Sequence, residues 1–244
     1  MVMMNKQLKI EKIFQETPDV RTLIFRLDEP IDYKPGQFLM IGKDMMYNGE
    51  MKRIKRAFSI SSSPVTKDHL EITVKKEEHG LFTPVIFQQK TGDFLEASGP
   101  FGMFVFNDDI PEKYKEIALI AGGTGIAPLR GIFNYILKNN IKIKITLLYS
   151  AKTPEHIIYK NELQELKNKY RNFNIVITIT RPRESKEEWN GLTGRITKEL
   201  IKDSIDDLEG SIFFICGPPE MVEATIKYLK ELKIRSEQIK VDKW

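Results

Sequence analysis

The rhythm of hydrophobic positions changes near residue 110. Before it, short runs rich in β-branched and aromatic residues recur between turn signals: Gln7 to Glu16, Val20 to Leu27, Gln37 to Ile41, Ala57 to Ser61, His69 to Lys75 and Phe94 to Ser98. Glu29-Pro30, Lys34-Pro35-Gly36, Ser63-Pro64, Thr91-Gly92-Asp93 and Gly99-Pro100 punctuate them. Strands of this length and spacing predict a small antiparallel barrel. One helix is predicted over Leu81 to Lys90.

After residue 110, strand-like and helix-like patterns alternate. Buried strands are predicted at Glu116 to Ala121, Lys144 to Tyr149, Ile175 to Thr180 and Ser211 to Cys216, with a last short strand ending at Trp244. Helices are predicted at Pro128 to Asn139, Glu155 to Tyr170, Thr197 to Ile205 and Pro219 to Lys233. Such alternation implies right-handed crossovers and a doubly wound parallel α/β sheet. The expected organisation is two-domain: an antiparallel β-barrel over 1–108 and an α/β domain over 112–244. Ligands of open parallel sheets lie at the carboxyl ends of the strands, and clefts form between domains, so a ligand is expected at the junction.

Composition narrows this picture only slightly. With 41% hydrophobic and 30% charged residues among 244, the chain reads as an ordinary globular protein. No apolar run reaches the roughly 18 residues of a membrane helix, and the first residues lack a signal-peptide core, so a cytoplasmic location is expected. One cysteine, Cys216, excludes an intrachain disulfide and a four-cysteine iron–sulfur cluster within this chain. The net charge of +4 is compatible with acidic protein partners. Nucleic acid is not indicated, because no basic patch alternates with stacking aromatics.

Three segments carry candidate chemistry. Gly122-Gly123-Thr124-Gly125-Ile126-Ala127-Pro128 follows a strand and opens a helix, where glycines admit a pyrophosphate to backbone N–H groups. Read alone, it is equally a tight strand-to-helix turn. Cys216-Gly217-Pro218-Pro219-Glu220-Met221 forms a second such platform on the same sheet edge, although a lone strand-end cysteine is often a small core residue. Arg56-Ala57-Phe58-Ser59 offers a cation, a ring and a hydroxyl on one strand, which a flavin dinucleotide would use, or which an edge strand carries by chance.

Together with Gly36-Gln37-Phe38, Gly80-Leu81-Phe82-Thr83 and Gly99-Pro100-Phe101-Gly102, these segments, in this order, resemble the ferredoxin–NADP reductase superfamily over essentially the whole chain. The pattern is most similar to the bacterial ferredoxin (flavodoxin)–NADP reductases. The resemblance implies that Arg56 pairs with the FAD pyrophosphate, Phe58 stacks on the isoalloxazine and Ser59 bonds near N5. The family usually has Tyr where this chain has Phe58. Val74 and Lys75 would pass the adenosine half, and Gly80, Leu81 and Thr83 would cap the pyrophosphate; Thr83 also reads as a plain helix cap. The turn at Gly123, Thr124 and Gly125 and the loop at Cys216, Gly217, Pro218 and Met221 would bind the nicotinamide dinucleotide, with Asp242 and Trp244 completing the catalytic set of Ser59 and Cys216. Trp244 would cover the flavin ring or, in the plainer reading, dock the tail. Hydride would pass between nicotinamide C4 and flavin N5, and electrons would leave singly.

Ser150 and Lys152 after the second parallel strand, with Arg181 and Arg195, match the positions that bind a 2′-phosphate, which favours NADP(H) over NAD(H). In an NAD enzyme, Lys152 and Arg195 would be solvated. The resemblance implies an enzyme whose acceptor is an acidic carrier, ferredoxin or flavodoxin; Lys52, Arg53 and Lys55 near the flavin strand would steer it, or equally form an ordinary charged loop. The alternatives are the reductase component of an oxygenase, a free flavin or quinone reductase, and a non-catalytic FAD-binding relay subunit.

Overall fold

The computed structural model describes residues 4–243. Six strands form the first sheet: β1 (Met4–Thr17), β2 (Val20–Arg26), β3 (Phe38–Tyr47), β4 (Glu50–Ser59), β5 (His69–Lys75) and β6 (Phe94–Phe101). They are antiparallel in the order β4-β3-β6-β1-β2-β5. The alternation along β1 sets its inner face, with Leu8 and Ile10 buried and Lys9 and Glu11 exposed. The sheet curls until the chain just past β4 meets β5. There Ile60 bridges to Ile72, and Ser61 N donates to the Glu71 carbonyl at 2.8 Å. Curling brings Ile10, Phe25, Leu39, Ile41, Leu70 and Leu95 into one core.

β3 and β4 run well beyond the expected Gln37 to Ile41 and Ala57 to Ser61. They continue as a hairpin to a turn at Asn48-Gly49, where φ is 52° and 81°. Positive φ at both central residues matches the right-handed twist of paired strands, and Asn-Gly is the pair that tolerates it. The helix expected over Leu81 to Lys90 is only α1 (Thr83–Phe87). The chain leaves it through short-range bonds, Gln88 N to the Val85 carbonyl and Gln89 N to that of Ile86, so it tightens and ends.

The second sheet is entirely parallel, in the order β10-β9-β8-β7-β11-β12. Its strands are β7 (Glu116–Gly122), β8 (Lys144–Ala151), β9 (Phe173–Ile179), β10 (Leu192–Thr193), β11 (Ser211–Gly217) and β12 (Ile239–Lys243). α2 (Ile110–Lys113) links the two sheets, and α3 (Ile126–Lys138), α4 (Lys160–Lys169), α5 (Lys198–Ser204) and α6 (Pro219–Glu231) flank the second. β7 and β11 are buried on both faces, which is why they read as unbroken apolar runs. Phe214 and Cys216 of β11 face the α3/α4 layer, while Phe213 and Ile215 face the α5/α6 layer. Strand order reverses between β7 and β11, the position at which an open sheet leaves a crevice.

The helix expected from Glu155 begins later. Pro154–His156 forms a 3-10 turn, and Tyr159 takes a left-handed conformation, φ 60°, before α4 starts at Lys160. Tyr159 is held there by partners from the first sheet, described below.

The sheets are joined through α3. Phe104 packs edge-on against Phe214 with ring centroids 5.2 Å apart, and Phe106 joins the same core. At Gly131 a Cβ would sit 3.0 Å from the Ile60 carbonyl and 3.1 Å from that of Ser62. Only a glycine lets the helix approach the end of β4 this closely.

Candidate functional site

The crevice between β7 and β11 is built from two strand-to-helix turns that interlock. β7 delivers Gly122, a 3-10 turn over Gly123–Gly125 follows, and α3 begins. A Cβ on Gly125 would lie 2.1 Å from the Cys216 carbonyl oxygen, and one on Gly122 would lie 2.6 Å from Met221 Sδ. Gly123, at φ +54°, instead faces open space, with no atom within 4 Å of where its Cβ would be. No side chain caps the first turn of α3 or of α6, whose cap positions are Gly125 and Pro218. The first-turn N–H groups of a helix have no intrahelical acceptors. At α3 the Ile126 N–H is already taken by the Gly123 carbonyl, so the N–H groups of the 3-10 turn itself and those opening α6 flank one crevice, an arrangement suited to a dianionic pyrophosphate.

Beside this crevice, β12 pairs with β11 so that Asp242 lies opposite Cys216, with Sγ 4.0 Å from Oδ2. Burial holds the Asp242 carboxyl above its ordinary pKa, opposed by the backbone N–H of Lys243. From Val241 and Asp242 a groove runs across to Phe38, Gly102, Met103 and Phe104 of the barrel. Trp244 lies outside the described residues.

On the barrel, Arg56, Phe58 and Ser59 lie on β4 opposite Ile41, Leu39 and Phe38. Alternation puts Arg56 and Phe58 on one face. Arg56 is exposed, and its Nη1 donates to the Lys55 carbonyl at 2.8 Å. Phe58 is half-buried, tilted 30° against Phe82 with centroids 6.1 Å apart. Val74 is fully buried in the barrel core, so its side chain is committed to packing. Lys75 pairs with Glu77 at 2.8 Å. The Gly80 N–H donates to the Glu77 carbonyl at 2.9 Å. The helix-cap reading of Thr83 is corrected. Its Oγ1 accepts from the Glu77 N–H at 2.9 Å, closing the loop over 77–83, and the cap of α1 is Phe82, with no side-chain bond. Leu81 is exposed at the loop tip.

Ser150, Lys152, Arg181 and Arg195 gather at the carboxyl ends of the neighbouring strands β8, β9 and β10. Ser150 pairs with Gly122 on one side and Thr178 on the other. The Arg181 N–H donates to the Lys152 carbonyl at 2.7 Å. Gly194, just before Arg195, is fixed by its N–H to the Ile179 carbonyl at 2.9 Å and by its own carbonyl to Thr178 Oγ1 at 2.8 Å. The guanidinium of Arg195 is solvated and only 3.9 Å from Glu220, and Arg181 is 3.5 Å from Glu184.

The cations near the hairpin take the form of the ordinary charged loop. Arg53 forks onto Asp44 and also meets Glu96, Lys55 pairs with Glu96, and Lys52 pairs with Glu50 at 3.1 Å. Their charge is neutralised locally, which removes most of its reach as a steering field.

The sequence gives little sign of a polar network between the two sheets. Arg130, with its side chain 14% exposed, donates Nε to Glu162 at 2.7 Å and Nη1 to the Ser61 carbonyl at 3.1 Å, and it also pairs with Glu71. Its guanidinium lies 4.6 Å from the Tyr159 ring centre. The Tyr159 hydroxyl meets Thr73, and its N–H donates to Glu16 at 3.3 Å. Burial raises the Glu16 carboxyl, opposed by its bond from Thr22. The available signal was a lone cation, Arg130, inside the apolar stretch from Ile126 to Phe133.

Known proteins show the same plan. Residues 7–106 match the Oxidoreductase FAD-binding domain family, and residues 119–227 match the Oxidoreductase NAD-binding domain family. The glycine betaine monooxygenase reductase subunit of Chromohalobacter salexigens is 31% identical over 90% of this chain; the chain spans 58% of that relative's length. NADH-cytochrome b5 reductase 2 of Saccharomyces cerevisiae is 31% identical over 95% of the chain and 76% of its own. A ferredoxin NADP+ reductase from Neisseria gonorrhoeae, solved with bound FAD and NADP, superposes with a TM-score of 0.80 at 25% identity, over 98% of each chain.

Proposed function

The chain belongs to the ferredoxin–NADP reductase superfamily, with one FAD-binding and one NAD-binding domain, and from that premise we propose that it moves electrons from NADPH through FAD to a one-electron carrier protein. The observation that carries this reading is the pair of uncapped helix ends interlocked at the β7/β11 crevice, which opens beside the barrel strands. When bound, FAD takes two electrons from a reduced nicotinamide and releases them one at a time.

The residues present fit both groups. Arg56 is an exposed cation free to turn onto a pyrophosphate, and the half-buried face of Phe58 offers a stacking surface to the flavin, with Ser59 beside it. Backbone N–H groups of Gly123, Thr124 and Gly125, and of the loop from Gly217, would hold the nicotinamide dinucleotide. Phe38 and Met103 line the groove that leads to Asp242. Cys216 and Asp242 are proposed to orient the nicotinamide ring; neither has to act as a strong acid or base. The reading of NADPH over NADH is supported by the gathering of Lys152, Arg181 and Arg195 at the carboxyl ends of β8, β9 and β10, cations that a 2′-phosphate would need. In this reading Trp244 is proposed to cover the flavin.

For the acceptor, a ferredoxin or flavodoxin is the first reading. A second, the reductase component of an oxygenase, is favoured by the glycine betaine monooxygenase reductase subunits among the relatives. These 244 residues hold one cysteine and cannot themselves ligate a four-cysteine cluster, so an iron–sulfur acceptor would lie outside them. The test is reoxidation of the NADPH-reduced protein, anaerobically, by a ferredoxin, a flavodoxin, an oxygenase iron–sulfur component and a free quinone. The proposal expects at least one protein carrier to outpace the quinone. Equal or faster reoxidation by the free quinone would overturn the carrier-protein reading.

A further inference from the structure

We propose that Arg130 is a positioning residue that fixes the separation between the flavin-binding strand and the nicotinamide platform, an inference that rests on the function proposed above. α3 leads directly out of the glycine turn, so any shift of this helix moves the first-turn N–H groups with it. Near the start of the helix, two consecutive residues grip three consecutive carbonyls at the end of β4. Gly131 lies against those of Ile60 and Ser62, and Arg130 donates to that of Ser61, two residues past Ser59.

The same guanidinium reaches Glu71, on the strand that continues to Val74 and Lys75, and Glu162 on α4. Asn134, one helical turn on, donates to the other oxygen of Glu162 at 2.7 Å, which fixes the carboxylate that receives Nε. Tyr159 lies over the guanidinium and bonds to β5 through Thr73, which also donates to Ser61 Oγ at 3.2 Å. One planar fork therefore joins the chain just past β4 to β5, α3 and α4, and the geometry is specific to arginine. A lysine supplies a compact ammonium whose three rotatable donors cannot reproduce the fixed planar spacing of Nε and Nη1.

Plain interdomain packing already exists in Phe104, Phe106 and Gly131, so holding the domains together does not require a buried cation. What Arg130 adds is direction, since it sets where the Ser61 carbonyl lies relative to α3. A displacement of about 1 Å between reacting groups can slow a reaction about 100-fold while leaving each ligand's own contacts intact.

The test compares wild type with Arg130→Lys, Arg130→Met and the triple variant Arg130→Met/Glu71→Gln/Glu162→Gln, which also removes the two carboxylates that Arg130 pairs with. Two readouts are taken. On FAD-free protein, hydrogen–deuterium exchange is followed at Ile60 and Ser61, whose amides donate to the Gln37 and Glu71 carbonyls. On FAD-loaded protein, the limiting rate of anaerobic flavin bleaching by NADPH is separated from the dissociation constant for NADPH. The inference expects faster exchange at Ile60 and Ser61 in the methionine variants. It also expects a limiting rate about 100-fold lower with NADPH affinity and FAD content within about two-fold of wild type, and partial recovery in Arg130→Lys. Wild-type exchange and a wild-type limiting rate in the triple variant would overturn it, as would a loss confined to NADPH affinity. If wild type itself does not bleach, the proposed function fails, while the exchange readout still decides whether Arg130 fixes β4 on α3.

Discussion

Gly125→Ala is the substitution whose consequence the structure fixes most tightly. The added Cβ would meet the Cys216 carbonyl oxygen at 2.1 Å, its carbon at 2.4 Å and the Gly217 nitrogen at 2.7 Å. All three are backbone atoms of the facing turn, so no side chain can swing aside. Regaining ordinary contact at 3.4 Å requires a movement of about 1.3 Å. The parallel register between β7 and β11 extends to the Ala121–Cys216 pair, so this movement is resisted on both sides and falls mostly on the two turns. Overpacking of this kind destabilises a fold by about 1–3 kcal/mol. Spreading the crevice by about 1 Å also misplaces the nicotinamide relative to the flavin, at a cost of about 100-fold in rate. The assay is anaerobic stopped-flow bleaching of the flavin by NADPH, with urea unfolding alongside. Gly123→Ala is the control, because its Cβ meets nothing within 4 Å and the strain of φ +54° costs only about 1 kcal/mol. The expected order is a severe loss of bleaching in Gly125→Ala and a mild loss in Gly123→Ala. Equal, near-wild-type rates in both would refute the claim that the interlocked turns set the geometry of the site.

Three further outcomes follow from the same geometry. Lys152→Ala combined with Arg195→Ala should weaken NADPH binding about 10-fold or more while NADH binding stays unchanged, measured by titration of each dinucleotide, because only the 2′-phosphate loses charge-assisted bonds. Phe58→Leu should raise the FAD dissociation constant about five-fold, read by fluorescence recovery on FAD release, since an aromatic stack contributes about 1 kcal/mol beyond area. Burial raises the folded-state pKa of Glu16, so its ionised form costs stability, and that cost is relieved as pH falls through the raised pKa toward the ordinary carboxylate value. Urea midpoints at pH 7 and pH 5 should therefore show the wild-type advantage over Glu16→Gln increasing at the lower pH. A constant difference would exclude linkage through this carboxyl.

Much of the architecture was legible because its causes are local. The buried runs of β7 and β11 and the amphipathic α3 and α6 report their environments through periodicity alone. The glycines of the 122–125 turn announce backbone approach, and the structure gives the reason in the Cys216 carbonyl and Met221 sulfur. The hairpin extending to Asn48-Gly49 was equally readable from its turn pair, but its strands alternate charges with methionines and so lack the apolar signal that drew attention elsewhere. Helix starts were less legible. Tyr159 interrupts the expected helix because its hydroxyl and N–H are held by Thr73 and Glu16, from strands more than eighty residues away in the chain. No local pattern encodes such partners. The same holds for Arg130, whose four contacts lie on β4, β5, α4 and the segment preceding α4. The pairing of Lys52, Arg53 and Lys55 with Asp44, Glu50 and Glu96 likewise depends on strand register, which linear charge spacing does not reveal.

The central claim, a flavin reduced by a dinucleotide held at the β7/β11 crevice with a 2′-phosphate on the basic strand ends, is tested most directly by anaerobic stopped-flow absorbance of the FAD-loaded protein. It is mixed with NADPH and, separately, with NADH. The account predicts rapid loss of the flavin band with NADPH and markedly slower loss with NADH. Faster loss with NADH would contradict the assignment of Lys152, Arg181 and Arg195, and an unchanged flavin band with both dinucleotides would contradict the reductase function itself.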